Sequence, residues 1–141
     1  MVTREQALDV LSKIRESKPA KFFNKIDETN AGMNFILAYL NEHDNDIYAS
    51  EIADNMQISR ARVTVLIQKL INKGLIIKSN SRNDARIEVL KLTQSGFDEI
   101  NKFLEHMISD ITKVIEVIGL EEMYKFIETS VTIKNLLDNL E

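Results

Sequence analysis

Residues 58–74 read ISRARVTVLIQKLINKG, and this stretch decides the fold. Its apolar residues recur at intervals of three and four, which is the spacing of one face of an α-helix. Ser59 is a suitable N-cap, because its hydroxyl can accept a hydrogen bond from a backbone N–H that lacks a partner. Gly74 follows the last apolar residue, where a left-handed residue often ends a helix. The stretch therefore predicts a helix over 59–73 with a buried face formed by Val63, Leu66, Ile67, Leu70 and Ile71.

A shorter helical pattern directly precedes this helix. The segment ASEIADNM, residues 49–56, places Ile52, Ala53 and Met56 on one side. Only two residues, Gln57-Ile58, separate the two patterns, so the two helices have to meet at a steep angle. A pair of helices joined in this way predicts a helix-turn-helix.

The spacing changes after Gly74. LIIKSNS (75–81) and ARIEVLKLT (85–93) are rich in β-branched residues, and the residues between them are turn-prone. This pattern predicts a β-hairpin of two short strands, with residues 79–86 forming a wing. The predicted fold class is mainly α with a small β-hairpin, because a helix-turn-helix followed directly by a hairpin is a winged helix.

Both ends of the chain are predicted to be helical. Helices are expected over 3–17, 33–42, 94–118 and 120–140, and the stretch 20–32 has no clear helical spacing. The apolar residues from Phe97 to Ile118 alternate in steps of three and four, which is typical of a helix that packs along a partner. One winged helix cannot cover so much apolar surface, so we expect a homodimer. Residues 1–30 and 94–141 are predicted to form the helical dimerisation region, and residues 31–93 the winged helix-turn-helix.

The positive charge of the chain is concentrated in one part of the sequence. Between Ser59 and Gly96 there are eight Lys or Arg residues and two acidic residues, a net charge of +6. The whole 141-residue chain has a formal net charge of −4, so the rest carries −10. Residues 58–74 contain no Asp or Glu. A basic region in an acidic chain is expected of a surface that binds a polyanion, although charged side chains also serve simply to solvate a surface.

Composition argues against several other classes of protein. The chain has no Cys, which fits a reducing compartment, and it has neither a signal-peptide pattern nor an apolar run long enough to span a bilayer. We therefore expect a cytoplasmic protein. His43 and His106 stand alone, and neither a Gly-rich phosphate loop nor a nucleophile motif is present. The sequence thus predicts no catalytic residues, no cofactor and no metal site.

The outward face of the 59–73 helix is predicted to contact DNA, because the second helix of a helix-turn-helix enters the major groove. Arg60 and Arg62 can each reach a guanine edge or a phosphate, and Val65 can contact a thymine methyl. Lys69 and Lys73 are better suited to phosphates, which provide affinity without sequence information. The residues predicted to bind DNA are Ser59, Arg60, Ala61, Arg62, Thr64, Val65, Gln68, Lys69, Lys73, Arg82, Asp84 and Arg86.

Three of these residues belong to the wing. Arg82, at the predicted hairpin tip, is suited to a narrow minor groove, whose negative potential attracts arginine. Asp84 and Arg86 are two residues apart, and we expect them on one side of an extended strand. They can pair with each other and stiffen the hairpin, or Arg86 can reach the DNA backbone. The sequence leaves these two alternatives open.

The wing also carries a motif that resembles a known family. Asp84, Arg86, Leu92, Thr93 and Gly96 form the pattern D-x-R-x₅-L-T-x₂-G, which resembles the wing signature of MarR-type transcriptional regulators. The preceding segments, ASEIADNM and ISRARVTVLIQKLINKGLI, resemble the helix-turn-helix elements of that family. The resemblance in motifs covers about residues 33–96, and the rest of the chain is similar in length and helix order.

The resemblance implies a homodimer that binds pseudo-palindromic double-stranded DNA and usually represses transcription. It also implies a pocket for a small phenolic or other amphipathic effector between the dimerisation and DNA-binding parts. Aromatic residues at helical spacing commonly belong to the core, so the lining of such a pocket is an expectation from position alone. The candidate ligand-binding residues are Phe22, Phe23, Phe35, Tyr39, Tyr48 and Met107.

One alternative function fits the same fold. A winged helix can also be a protein–protein interaction module, or an antagonist that pairs with another regulator without binding specific DNA. The acidic remainder of the chain is compatible with that function, whereas the basic region between Ser59 and Gly96 favours DNA.

Overall fold

The helices and the hairpin follow one another in the predicted order. The computed structural model describes residues 1–17 and 28–140. Its elements are α1 (Arg4–Ser17), α2 (Glu28–Glu42), α3 (Ala49–Met56), α4 (Arg60–Asn72), β1 (Ile76–Asn80), β2 (Glu88–Leu92), α5 (Gln94–Ile118) and α6 (Leu120–Asp138). The two strands pair in antiparallel register. The predicted fold class, mainly helical with a winged helix-turn-helix, is confirmed.

Helix α2 begins earlier than the sequence predicts. The apolar spacing predicts a start at Met33, but the helix starts at Glu28. The additional turn contains Gly32, and glycine is a weak helix former. Gly32 is buried against α4, where an added Cβ atom would lie 2.9 Å from Leu66 Cδ1. The prediction was wrong here because tertiary packing overrides local propensity.

The chain divides into two compact units. One unit is Asp27–Phe103, and the other combines Met1–Ile26 with Leu104–Glu141. The predicted boundaries at residues 30 and 93 concern function, and they stay a prediction.

The Asp27–Phe103 unit is built around branched aliphatic side chains. The buried face of α4 is the predicted one, apart from Ile71, which is half-buried. This burial leaves the opposite face of α4 in solvent. The large fully buried side chains of the unit come from both strands, four helices and the segment between α2 and α3: Ile36, Leu37, Ile47, Ile52, Val63, Leu70, Ile76, Val89 and Ile100.

Helix α4 is capped at both ends, as predicted. The Ser59 hydroxyl accepts a hydrogen bond from the backbone N–H of Arg62 at 3.2 Å. At the other end Gly74 has a φ of 74°, in the left-handed region that suits glycine. The N–H of Leu75 then donates to the carbonyl of Leu70 at 3.0 Å, which satisfies a terminal helix acceptor. These bonds fix where α4 begins and ends.

The start of α5 lies against the end of α4. The Thr93 hydroxyl accepts a hydrogen bond from the Gly96 N–H at 3.0 Å and donates to the Gly74 carbonyl at 2.7 Å. A Cβ atom on Gly96 would lie only 2.0 Å from the carbonyl oxygen of Leu75. Thr93 and Gly96 therefore have a structural explanation: one caps α5 and the other permits this close approach.

The second unit has its own small core. Val10 of α1, Ile115 of α5, and Met123 and Ile127 of α6 form a buried cluster. On the surface, the Arg4 guanidinium donates two hydrogen bonds to the Glu105 carboxylate, at 2.8 and 2.6 Å. The Tyr124 hydroxyl donates to the Asp9 carboxylate, which links α6 to α1.

Much of the apolar surface of α5 and α6 is exposed. The seam predicted along α5 for packing against a partner includes Met107 and Val114, and both are exposed in the single chain, whereas the neighbouring Ile108 and Ile115 are buried. The packing of that seam against a partner stays a prediction. Within residues 1–17 and 28–140, no helix is long and apolar enough to cross a membrane. The exposed apolar side chains of the second unit include Val117, Ile118, Phe126, Ile133, Leu136, Leu137 and Leu140.

Candidate nucleic-acid interface

The outward face of α4 carries the basic side chains that the sequence singles out. Arg60, Arg62, Lys69 and Lys73 are all exposed, and Val65 is 54% exposed among them. The face is fixed because the apolar side of the same helix is buried in the unit's core. The remaining predicted α4 residues are exposed as well: Ser59, Ala61, Thr64 and Gln68.

The electrostatics of α4 favour an anion at its N-terminal end. No acidic residue occurs in its first turn. Backbone N–H groups at a helix N-terminus carry roughly half a positive charge, and this adds to the charge of nearby arginines. Arg60 and Arg62 both lie in that first turn. This end of α4 can therefore hold a phosphate or the acceptor edge of a base.

Two polar side chains of this face already have partners within the helix. The Thr64 hydroxyl donates to the carbonyl of Arg60 at 2.8 Å. The side-chain amide of Gln68 donates to Asn72 Oδ1 at 2.9 Å. A contact from the Gln68 amide nitrogen to a base would therefore require exchange of this hydrogen bond.

The tip of the wing is a tight turn. The strands pair from Ile76 opposite Leu92 to Asn80 opposite Glu88, so residues 81–87 form the loop. Arg82 is exposed in this loop. The predicted wing is present, and the loop that contains Arg82 and Arg86 lies beyond the paired strands.

Asp84 and Arg86 pair, but not on an extended strand as predicted. Arg86 Nε and Nη2 each lie 3.1 Å from an Asp84 carboxylate oxygen, and the Arg86 backbone N–H donates to Asp84 Oδ1 at 3.0 Å. The Ile87 N–H donates to the Asp84 carbonyl at 3.0 Å, which closes a turn. The strand prediction was wrong because turn hydrogen bonds bring the two side chains together. These bonds hold the pKa of Asp84 below its ordinary value.

The wing is also attached to the loop between α2 and α3. The Ser81 hydroxyl donates to Asp46 Oδ2 at 2.9 Å, and the Leu90 N–H donates to the Ile47 carbonyl at 2.9 Å. Asp46 and Ser81 are not among the residues that the sequence predicts to be functional. They lie 35 residues apart, and no local pattern indicates such a contact.

The predicted ligand-binding aromatics lie in different surroundings. Phe22 and Phe23 fall outside the described residues. The ring of Tyr39 stacks 4.2 Å from that of His43, and its hydroxyl donates to Glu51 Oε2 at 2.8 Å. That hydrogen bond raises the pKa of Tyr39.

Glu51 also ties down the start of α3. Its Oε1 accepts a hydrogen bond from the backbone N–H of Tyr48 at 3.1 Å. Tyr39 and Glu51 therefore connect α2 to the N-terminus of α3. Phe35 stacks on Tyr39 at a ring distance of 6.2 Å, and Met107 lies half-exposed on α5. The role of these residues in ligand binding stays a prediction.

A cavity of about 570 Å³ lies elsewhere in the Asp27–Phe103 unit. Its walls come from the end of α2, residues 43–47, β2 and the start of α5, together with Arg82. The predicted ligand-binding residues Phe35, Tyr39, Tyr48 and Met107 do not line this cavity. The cavity therefore lies between the wing, the α2–α3 connection and the start of α5.

Comparison with known proteins gives the same architecture. A model of the MarR family matches residues 35–87. The HTH-type transcriptional repressor MdtR of Bacillus subtilis (strain 168) is 29% identical over 89 residues, 63% of this chain and 57% of that protein. The HTH-type transcriptional regulator MhqR of the same organism is 26% identical over 89 residues, 63% of this chain and 61% of that protein. This chain thus spans about three fifths of the length of these curated relatives.

A solved structure has the same fold. The X-ray structure of the YusO protein from Bacillus subtilis aligns with a TM-score of 0.59 and 22% identity, over 91% of this chain and 86% of YusO. At that identity the likeness shows the fold alone. Residues 35–87 of this chain are therefore similar to the MarR family, and the chain has a winged helix-turn-helix fold.

Proposed function

We propose that this chain is a dimeric, sequence-specific DNA-binding regulator of transcription, most simply a ligand-responsive repressor. The observation that carries the proposal is the surface of α4. One side is buried in the core, and the other exposes Arg60, Arg62 and Lys69 with no acidic residue along the helix. A rigid basic helix of this kind fits the major groove of duplex DNA.

Each basic residue has a distinct role in this proposal. Arg60 and Arg62, in the first turn of α4, contact guanine edges or nearby phosphates. Lys69 and Lys73, further along the helix, contact phosphates and set the register. Arg82 lies in the minor groove beside the site. Arg86 is occupied by Asp84 in the free chain, so we propose that this pair stiffens the wing tip.

The chain-end unit supports the proposed homodimer. Leu136 and Leu137 are 60% and 55% exposed near the end of α6, and Phe126 is exposed about three turns earlier. Covering such side chains favours association, and a second copy presents the same surface. A two-fold dimer would offer two α4 helices to successive major grooves about 34–36 Å apart.

The proposed response to a ligand is based on the similarity to MarR-family regulators. MdtR and MhqR are named as a transcriptional repressor and a transcriptional regulator, and similarity to them supports repression and control by an effector. A small phenolic or amphipathic molecule would act by binding more tightly to a dimer whose α4 spacing does not fit the operator. The same similarity supports a cytoplasmic location and a function without catalysis.

The test is selection of duplex DNA from a random pool by the purified chain, followed by binding measurements at two salt concentrations. The proposal predicts one enriched, imperfectly palindromic sequence and an affinity that falls steeply with salt, because phosphate contacts release counterions. An interaction module would enrich no sequence and bind no duplex at low salt. That result would reject the proposed function.

A further inference from the structure

Ser81 is a buried polar residue at the base of the wing loop. Its side chain is only 5% exposed, although it directly precedes the exposed Arg82. The hydroxyl donates to Asp46 Oδ2 at 2.9 Å and accepts from the Asn83 N–H at 3.2 Å. A serine hydroxyl can donate only one hydrogen bond, and Ser81 donates that bond to Asp46. Ser81 thereby connects the loop that carries Arg82 to the α2–α3 connection.

A second contact runs parallel to the first. Ile47, the residue after Asp46, forms an isolated antiparallel bridge with Leu90 of β2. Both Ile47 and Leu90 are buried, so this bridge lies in the core. Residues 46 and 47 therefore hold the hairpin at two points: Asp46 holds the start of the wing loop through its side chain, and Ile47 holds β2 through its backbone.

The α2–α3 connection leads directly into the helix-turn-helix. Tyr48, the next residue, is the N-cap of α3, and its N–H is held by Glu51 at 3.1 Å. The same segment therefore holds the wing and begins α3. Asp46 and Arg82 also line the same cavity, which indicates that they lie near each other on the surface.

We propose that Asp46 is a positioning residue for DNA binding: through Ser81 it holds the wing loop so that Arg82 is presented to the minor groove. This inference rests on the proposed function. Asp46 need not touch DNA, because its contribution is to reduce the number of conformations that the loop must lose on binding. A hydrogen bond to a carboxylate suits this role, since charge-assisted bonds are stronger than neutral ones.

The test compares alanine variants in the presence and absence of Arg82. Ser81→Ala and Asp46→Ala should each weaken binding to the selected duplex by about three- to tenfold, the range expected for one lost hydrogen bond. In an Arg82→Ala background the same changes should have less than about a twofold effect, because the wing no longer has an arginine to position. Loss of affinity that is equally large in both backgrounds would mean a general structural role and would overturn the inference.

Two further variants separate positioning from damage. Asp46→Asn keeps an acceptor oxygen for the Ser81 hydroxyl but loses the charge of the carboxylate, so it should lose less affinity than Asp46→Ala. Ser79→Ala, in the same hairpin, is the matched control and should leave binding unchanged. Wild-type affinity in both Ser81→Ala and Asp46→Ala would also overturn the inference.

A measurement without DNA distinguishes failure of this inference from failure of the proposed function. The Asn83 amide donates a hydrogen bond to the Ser81 hydroxyl. The proton of this amide should exchange with solvent faster in Ser81→Ala and Asp46→Ala than in Asp46→Asn. Equal exchange in all variants would reject the inference even if the chain binds DNA. A wild-type chain that selects no duplex would reject the proposed function, and with it the role in DNA binding, whatever the exchange rates.

Discussion

The Asp27–Phe103 unit and the unit formed by Met1–Ile26 with Leu104–Glu141 leave different kinds of side chain exposed. On α4 the exposed residues include Arg60, Arg62 and Lys69, whereas on α6 they include Phe126 and Leu136. Both helices bury an apolar stripe within their own unit. The two helices therefore differ in the face that each exposes to solvent.

This difference indicates two kinds of partner. A basic face gains little from an apolar surface but gains electrostatic energy from a polyanion. An exposed apolar face gains free energy when another apolar surface covers it. We infer that the first unit faces DNA and that the second unit faces another copy of the chain.

The largest expected effect is on dimerisation. The double change Leu136→Lys with Leu137→Lys should weaken the dimer by about 4 kcal/mol, roughly a thousandfold in Kd, because a two-fold interface contains each change twice. Analytical ultracentrifugation measures the dissociation constant. Val65→Lys is the control. It places one lysine at an exposed apolar position of α4 and should leave the dimer intact. Equal effects of the two variants would remove the contrast between the units.

The next effect concerns the stability of the winged unit. Gly96→Ala should lower the free energy of unfolding by about 3 kcal/mol, because the new methyl group meets the carbonyl oxygen of Leu75. Gly74→Ala is the comparison: its φ is 74° but no atom lies within 4 Å, so the cost is only about 1 kcal/mol of backbone strain. Thermal unfolding followed by circular dichroism gives both values. A cost for Gly96→Ala no greater than that for Gly74→Ala would contradict the described junction.

Arg62→Ala tests the basic face directly. Specific binding should weaken by about 1–3 kcal/mol, with a changed base preference at one position of each half-site. Lys125→Ala removes an exposed positive charge from α6 instead, and it should leave DNA affinity unchanged. Binding titrations on the selected duplex and on single-base variants provide the measurement. If Lys125→Ala weakened binding as much as Arg62→Ala, the charge of the whole chain would matter and not the face of α4.

A smaller and more uniform loss is expected for Lys73→Ala. Its contact is proposed to be with phosphate, so every DNA sequence should be bound about equally more weakly, by about 1 kcal/mol. The slope of log affinity against log salt should also fall by about one. A sequence-dependent loss would assign Lys73 to a base contact.

The smallest effect is on the wing tip at acid pH. Because Arg86 lowers the pKa of Asp84, the pair stabilises the turn above the ordinary carboxyl pKa and loses that contribution as the pH falls through the lowered value. In an NMR titration, the Arg86 Nε–H resonance should therefore shift only at pH values below the ordinary pKa of an aspartate, and Asp84→Asn should abolish that shift. A shift at the ordinary aspartate pKa would mean that the pair is not formed in solution.

Local signals in the sequence predict much of this fold. Ser59 and Gly74 each act within a few residues of their own positions, and both cap α4 as predicted. The helix-turn-helix follows from two helical patterns separated by Gln57-Ile58. Capping and hydrophobic spacing are short-range effects, so they are visible without a structure.

Long-range contacts account for what the sequence could not predict. The first turn of α2 depends on Gly32 packing against Leu66, and the Asp46–Ser81 hydrogen bond spans 35 residues. The seam predicted along α5 is meant for a partner, so the exposure of Met107 and Val114 in a single chain leaves its packing a prediction. The exposed face of α4 follows from the sequence alone, because its buried stripe leaves a single basic face. What that face binds stays a prediction.

The most direct test of the central claim is methylation interference with the selected duplex. Methyl groups on guanine N7 lie in the major groove, where Arg60 and Arg62 are proposed to contact base edges. The proposal predicts that N7 methylation blocks binding at two clusters of guanines separated by about one helical turn or a multiple of it, and that Arg62→Ala removes the interference at one guanine in each cluster. Binding that is indifferent to N7 methylation, or an unchanged interference pattern in Arg62→Ala, would contradict it.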